Sequence, residues 1–352
     1  MRILVYGAGP LGSVMAVRLH EAGQDVSVIA RGERLAQLRE HGVVIREEGS
    51  TTVETARVSI VDRFAPGDDY DLVMVVMRRN QALQILDTLS QNTKVPTFLF
   101  MVNSAAGPQA YVDAVGRDRV MLGFPYPGGE REGHVMRVVP VNEEKIWTIP
   151  VGEPDGRVTD RTRAVAATLG SMRGYKVEIR MDMDAWLKNH VALLMSAMAP
   201  AIYATGIDVK RFARTRDLLV LSVRGIREAL RALNRAGVPT SPRALKVMFV
   251  FPEPLLVRLF ARRMQDESLR SSLEGHPRAA RDELRFLAEE LAELFRAHGI
   301  ETPIFDRMAR HYDPDAPLVP DGSREIPMRW GGTLATAAGL IAVIAVVLAI
   351  VL

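Results

Sequence analysis

Three glycines, Gly7, Gly9 and Gly12, stand directly behind the apolar run Ile3 to Tyr6. A Gly-x-Gly-x-x-Gly by itself marks many ordinary turns, so its neighbours decide its meaning. The run before it is continuously apolar, as a strand buried on both faces must be. After it, SVMAVRLHEAG pairs Val14 with Val17 and Met15 with Leu19 at helical spacing. A second strand, Asp25 to Ala30, follows Ala22-Gly23, which completes a strand-helix-strand unit. In such a unit the first glycine permits the tight turn, the second lets the backbone approach a pyrophosphate, and the third lets helix and strand pack closely. Phosphates rest on the helix N-terminus, where free N–H groups and the helix dipole favour an anion. Gly7, Gly9, Pro10, Leu11 and Gly12 are therefore the expected dinucleotide-binding turn.

The end of the second strand indicates which dinucleotide is bound. An NAD site there carries Asp or Glu for the ribose 2′-hydroxyl, whereas this chain reads VSVIARGER, with Arg31 at the tip and Arg34 close behind. A guanidinium pairs with a 2′-phosphate, so the expected cofactor is NADP(H).

The chain has 352 residues, 48% of them hydrophobic, enough to bury a large core in two domains. A net charge of +3 with no aromatic-interleaved basic stripe argues against nucleic acid as a partner. There are no cysteines, which excludes disulfides and thiolate chemistry, and the seven histidines show no metal-ligand spacing, so no protein-held metal is expected.

Further strands are expected at Val58 to Val61, Asp71 to Met77, Thr97 to Val102 and Val120 to Phe124, alternating with helical connections. That alternation predicts an α/β fold whose N-terminal, Rossmann-type domain is a parallel sheet. PYPGGEREGHVMRVVPV and KIWTIPVGEP then read as antiparallel strands that close it. From about residue 180 the pattern is helical, with amphipathic runs at Ala185 to Met198, Arg216 to Ala236, Pro242 to Met264 and Arg278 to His298. The expected organisation is an NADP-binding domain over 1–178, an all-helical substrate domain over 179–312, a linker over 313–330 and a tail over 331–352.

The tail, GGTLATAAGLIAVIAVVLAIVL, carries no charge. At 1.5 Å per residue it spans roughly 33 Å, enough for a bilayer core, and it reads as a single C-terminal transmembrane helix. Arg324 and Arg329 precede it, with Trp330 at interface depth, which puts the catalytic domains in the cytoplasm. Gly331, Ala335 and Gly339 recur every four residues, a spacing that allows a homodimer through this helix.

A Rossmann domain ahead of a helical one resembles the ketopantoate reductase (2-dehydropantoate 2-reductase) family over about residues 1 to 312. The resemblance implies NADPH-dependent reduction of a small 2-oxo acid in a cleft between the two domains. Arg31 matches the family's 2′-phosphate arginine, and Arg78, in VMVVMRRNQ, stands where the family carries a lysine near the cofactor. Asn103, in FLFMVNSAAG, matches an asparagine expected beside both cofactor and substrate, with Ser104 replacing the family's glycine. In AWLKNHVALLMSAMAP, Lys188 follows Trp186 as the family's catalytic lysine does, which assigns it the proton that the carbonyl oxygen receives. A single lysine in an apolar helix is suggestive without the family, because a buried ammonium is costly unless a partner or a function compensates.

One and two turns on, Ala192 and Ser196 occupy places where the family holds substrate-binding asparagines, so Ser196 is the remaining candidate there. In SSLEGHPRAARDELRFLAEELAELFRAHGIETP, Glu283 falls on the family's active-site glutamate, above Glu289 or Glu290 by motif register, and Ser271 on its substrate-binding serine. Two other readings stay open: reduction of a different 2-oxo acid or of an imine, as in opine dehydrogenases, and a membrane-tethered NADP(H)-binding sensor without turnover.

Overall fold

Along the first strand, Ile3 and Val5 face one way, packing with Val14, Met15 and Leu19, while Leu4 and Tyr6 face the other, packing with Val73, Phe98 and Phe100. All four are buried. Period-two alternation with both faces covered is what a central parallel strand requires, and it explains why the run shows no polar face. The computed structural model describes residues 1–330, without the side chains of residues 267–269, 271 and 272. The expected membrane span, 331–352, lies outside the described residues, among which no helix is long and apolar enough to cross a membrane.

The described residues divide into two units: Met1–Val191 with Glu289–Leu291, and Ala192–Ala288 with the residues from Ala292 on. The first unit holds strands β1 (Arg2–Tyr6), β2 (Asp25–Ile29), β3 (Val43–Glu47), β4 (Val53–Ala56), β5 (Ser59–Val61), β6 (Leu72–Val75), β7 (Phe98–Met101), β8 (Val120–Gly123), β9 (Gly129–Glu132), β10 (Val135–Val138), β11 (Trp147–Gly152) and β12 (Tyr175–Ile179). Eight form the main sheet in the order β12-β11-β8-β7-β6-β1-β2-β5. β1 pairs in parallel with β2, Val5 opposite Val28, and with β6, Val5 opposite Met74. β11 runs antiparallel to β8.

The segment around GEREGHVMRVV forms antiparallel strands as expected, but outside the main sheet: β9 and β10 pair with each other and build a four-stranded sheet, β4-β3-β10-β9, with the β3–β4 hairpin. Met136 and Val138 are buried there with Val43 and Ile45. The hairpin's own strands are short, and pairing across distant segments fixes where they go.

In the helical unit two expected helices are broken. The run from Pro242 to Met264 stops at Phe251, held extended (φ −75°, ψ 142°), and restarts as the Glu253–Met264 helix, because Pro252 lacks an N–H and disfavours helical backbone before it. The run from Arg278 to His298 is interrupted at Ala280, where the Glu267–Ala279 helix ends and the Arg281–Ala297 helix begins. The Met183–Leu193 helix is followed by a π-helical turn, Leu194–Met198, and then Ala199–Ala204.

The segment expected as a linker is tied down along the helical unit. Val319 N–H donates to Ala204 O (2.9 Å), and the Asp217 carboxylate accepts from the backbone N–H groups of Glu325 (2.9 Å) and Ile326 (2.8 Å). Arg329 N–H donates to Glu253 (2.8 Å). Val319, Ile326 and Met328 pack against the unit's apolar core.

Candidate active site

The glycine turn joins β1 to the Pro10–Glu21 helix. Gly7 has φ 132°, and a Cβ there would lie 2.1 Å from Val76 O; one at Gly12 would lie 1.8 Å from Gly7 O. Both positions therefore require glycine for close backbone approach. At Gly9, the residue before the helix, a Cβ would meet nothing within 4 Å. The helix N-terminus has no side-chain cap, which leaves it without a competing acceptor where a pyrophosphate would bind.

At the end of β2, Arg31 is exposed. Burial raises the pKa of Tyr6, and the nearby Arg31 charge opposes that shift. Arg34 has a different role. It is buried and donates to Ala8 O (3.1 Å), His134 O (2.9 Å) and Ser13 Oγ (3.2 Å), bracing the glycine turn from behind. Burial, with a smaller contribution from the charge of Arg131, lowers its pKa to about 10.

Beyond β6, Arg78 precedes the Arg79–Gln84 helix and is half-buried. Its neighbour Arg79 is 2% exposed, donating through Nε to Glu290 Oε1 (2.8 Å) and through Nη1 to the Tyr111 hydroxyl. Glu290 Oε2 also accepts from the backbone N–H groups of Ala105 (3.1 Å) and Ala106 (3.4 Å). One carboxylate thus joins a buried arginine to the turn after β7.

That turn carries Asn103, whose Oδ1 is buried without a hydrogen-bond partner among the described residues. An unsatisfied buried acceptor is rare and calls for a donor from water or from a ligand. Ser104 closes the turn: its hydroxyl donates to Gly107 O (3.2 Å) and accepts from Gly107 N–H (3.1 Å). Its backbone φ is not positive, so the loop does not need the glycine that Ser104 replaces. The positive φ sits at Gly107, 84°, where a Cβ would lie 3.1 Å from both Lys188 Nζ and Asp184 Oδ1.

The Lys188 ammonium is held by Asp184 Oδ2 at 2.5 Å, one helical turn back, and its side chain is only 12% exposed. It is neither a surface nor a snorkelling lysine. Within the first unit the fold thus brings together Asn103, Ser104, Gly107, Asp184 and Lys188, with Glu290 behind them. Ser196, Ser271 and Glu283 belong to the second unit. Ser196 is fully buried in the π-helical turn, and its hydroxyl donates to Ala192 O (2.6 Å). Glu283 is buried, with its carboxylate 3.8 Å from His276 Nε2. Ser271 lies in the Glu267–Ala279 helix, its side chain outside the description.

Residues 3–147 match the model of the ketopantoate reductase PanE/ApbA family. A 2-dehydropantoate 2-reductase from Mesorhizobium japonicum is 25% identical over 271 residues, which cover 68% of this chain and 79% of that protein. The chain is a ketopantoate-reductase-like oxidoreductase. Solved structures share the reductase-like fold. The 2-dehydropantoate 2-reductase from Geobacter metallireducens GS-15 matches with a TM-score of 0.72 at 16% identity, covering 90% of this chain and 100% of that one. D-mandelate dehydrogenase, in a ternary structure with NADH and anilino(oxo)acetate, matches with a TM-score of 0.73 at 13% identity, covering 89% and 97%.

Sequence reasoning passed over three residues of this reductase-like site. Asp184 precedes Lys188 by four residues, the spacing of a helical ion pair, and was legible on that ground. Glu290 lies three residues after the buried Leu287 and seven after Glu283, on the apolar stripe, where a carboxylate needs a partner. Arg79 gave no local signal, since its partner lies 211 residues away.

Proposed function

We propose that this oxidoreductase reduces the carbonyl of a small 2-oxo acid, of the ketopantoate type, to the 2-hydroxy acid, using NADPH. The observation that carries the reading is the Lys188 ammonium, largely withdrawn from water and held by Asp184 beside the turn that bears Asn103. The uncapped helix N-terminus behind the glycine turn would hold the pyrophosphate, and the exposed Arg31 would pair with the 2′-phosphate, which favours NADPH over NADH. Arg78 is the further cofactor contact that the family resemblance suggests.

When bound, the cofactor supplies the hydride that reaches the carbonyl carbon. Lys188 polarises the carbonyl oxygen and donates its proton there as negative charge develops. Asp184 holds the ammonium in place. The Asn103 carboxamide, with Oδ1 free, orients the substrate. Glu283 and Ser271 are proposed to bind the substrate's polar groups. Ser196 keeps acceptor capacity after donating to Ala192 O, but Ala192 itself offers the substrate no side-chain hydrogen bond. Loss of such partners alters which substrate is preferred. The test is NADPH oxidation by the full chain in detergent with ketopantoate and a panel of 2-oxo acids and imines. Reduction of a 2-oxo acid supports the reading; NADPH binding without turnover on any of them overturns it.

We also propose that residues 331–352 anchor the chain in a membrane with both units on the cytoplasmic side, supported by the uncharged 22-residue tail and the arginines before it. The small-residue spacing in that tail favours pairing into a homodimer. Resistance of the full chain to alkaline extraction from membranes supports the anchor, and recovery in the soluble fraction overturns it.

A further inference from the structure

The Val247–Val250 and Glu253–Met264 helices of the second unit leave a row of large apolar side chains in water. Val250 is 73% exposed, Leu259 46% and Leu255 42%. Leu255 and Leu259 lie one turn apart on one helical face. Val247 and Phe251 are exposed beside them. Apolar side chains grouped in this way on a surface mark an interaction site. The charge around them has one sign. From Arg243 to Arg263 the chain carries five cations, Arg243, Lys246, Arg258, Arg262 and Arg263, all exposed, against one acid, Glu253. That acid is neutralised locally: it is 3% exposed and bonded by Arg224 at 2.8 and 2.9 Å.

Glu253 also fixes where the apolar tail begins. It accepts the backbone N–H of Arg329 at 2.8 Å, while Arg224 donates to Pro327 O at 2.7 Å. Trp330, 53% exposed, follows the pinned Arg329 directly, so the chain leaves this point near the start of the Glu253–Met264 helix. The described chain thus ends close to the start of the helix that carries Leu255 and Leu259, and the 22 uncharged residues that follow are long enough to cross a bilayer.

We propose that this face, Val247 to Leu259, rests in the interfacial layer of an anionic phospholipid membrane. The inference deepens the tail-anchor reading and rests on it. Apolar side chains would enter the headgroup boundary while the surrounding arginines and Lys246 meet anionic headgroups, the division of labour of an interfacial amphipathic helix. The pinned segment 319–329 keeps the start of the tail close to the helix that carries that face.

Because the chain has no cysteine, single fluorescent labels report each position cleanly. Full-length Leu255→Cys, Leu259→Cys and, as an aqueous control, Asp160→Cys, whose side chain is fully exposed, are labelled and reconstituted into vesicles of phosphatidylcholine with and without phosphatidylglycerol. The expected result is a blue shift and a loss of iodide quenching at 255 and 259 but not at 160, stronger with phosphatidylglycerol. Three results overturn the proposal. If the protein floats with vesicles while 255 and 259 stay as quenchable as 160, the anchor stands and the face does not lie on lipid. If 255 and 259 are already shielded without vesicles, a second copy or the tail covers the face. If the chain does not float at all, the anchor reading falls with it.

Discussion

Lys188 Nζ and Asp184 Oδ2 lie 2.5 Å apart on consecutive turns of one helix, so close to Gly107 that a Cβ there would lie 3.1 Å from both Lys188 Nζ and Asp184 Oδ1. The ammonium therefore has one fixed position rather than the range of positions a solvated lysine samples. Lys188→Ala is expected to lower kcat by about 100-fold or more, the size of a lost general acid. Asp184→Asn should lower it by about 10-fold or more, the loss of a charge-assisted hydrogen bond. NADPH affinity should be nearly unchanged in both. Steady-state kinetics beside a fluorescence titration of NADPH separates the two effects; normal turnover in Lys188→Ala would remove it as the proton donor.

Arg31 and Arg34, three residues apart, should behave differently. Arg31→Asp is expected to weaken or reverse an NADPH preference of several-fold without altering stability, since its side chain is exposed. Arg34→Ala should instead destabilise the fold by about 1–3 kcal/mol, because Ala8 O and His134 O lose a buried donor. Titration of both dinucleotides, together with urea unfolding, checks this; equal affinities in the parent protein would undo the Arg31 assignment.

Breaking the Arg79–Glu290 pair from one side should be costly. Glu290→Ala leaves a guanidinium buried at 2% exposure and two turn amides without their acceptor, so a loss of about 3–5 kcal/mol is expected. The double variant Arg79→Met with Glu290→Met should recover much of it, because an apolar pair does not strand a charge. Chemical denaturation of Arg79→Met, Glu290→Met and the double variant measures the coupling, and additive losses would show that the pair does not act as one.

The pinned segment 319–329 should loosen in acid. Burial pushes the pKa of Asp217 up, but the N–H groups of Ile326 and Glu325 outweigh it, so the carboxyl sits below its ordinary 3.8. A depressed acid contributes stability that is present above 3.8 and lost as pH falls through the lower folded value. Hydrogen exchange at Glu325 and Ile326 should therefore rise only below about pH 4. In Asp217→Asn it should be fast already at neutral pH; slow exchange there would mean that other contacts hold the segment.

The dinucleotide turn was legible in the sequence because its requirements are local. Gly7 and Gly12 are demanded by backbone atoms within the same strand-turn-helix unit or the strand beside it, and the apolar run before them carries the burial of β1 on both faces. Lys188 was legible through its motif and through the cost of an ammonium in an apolar helix, and Asp184 could have been read from helical spacing. Other features belong to the tertiary structure alone. Arg79 meets Glu290 across 211 residues, and Asp217 captures Glu325 across 108. The β9–β10 hairpin joins β3 rather than the main sheet. Local periodicity states which face of an element is buried, but hydrogen-bond and ion-pair partners far apart in sequence are chosen only once the chain has brought those faces together.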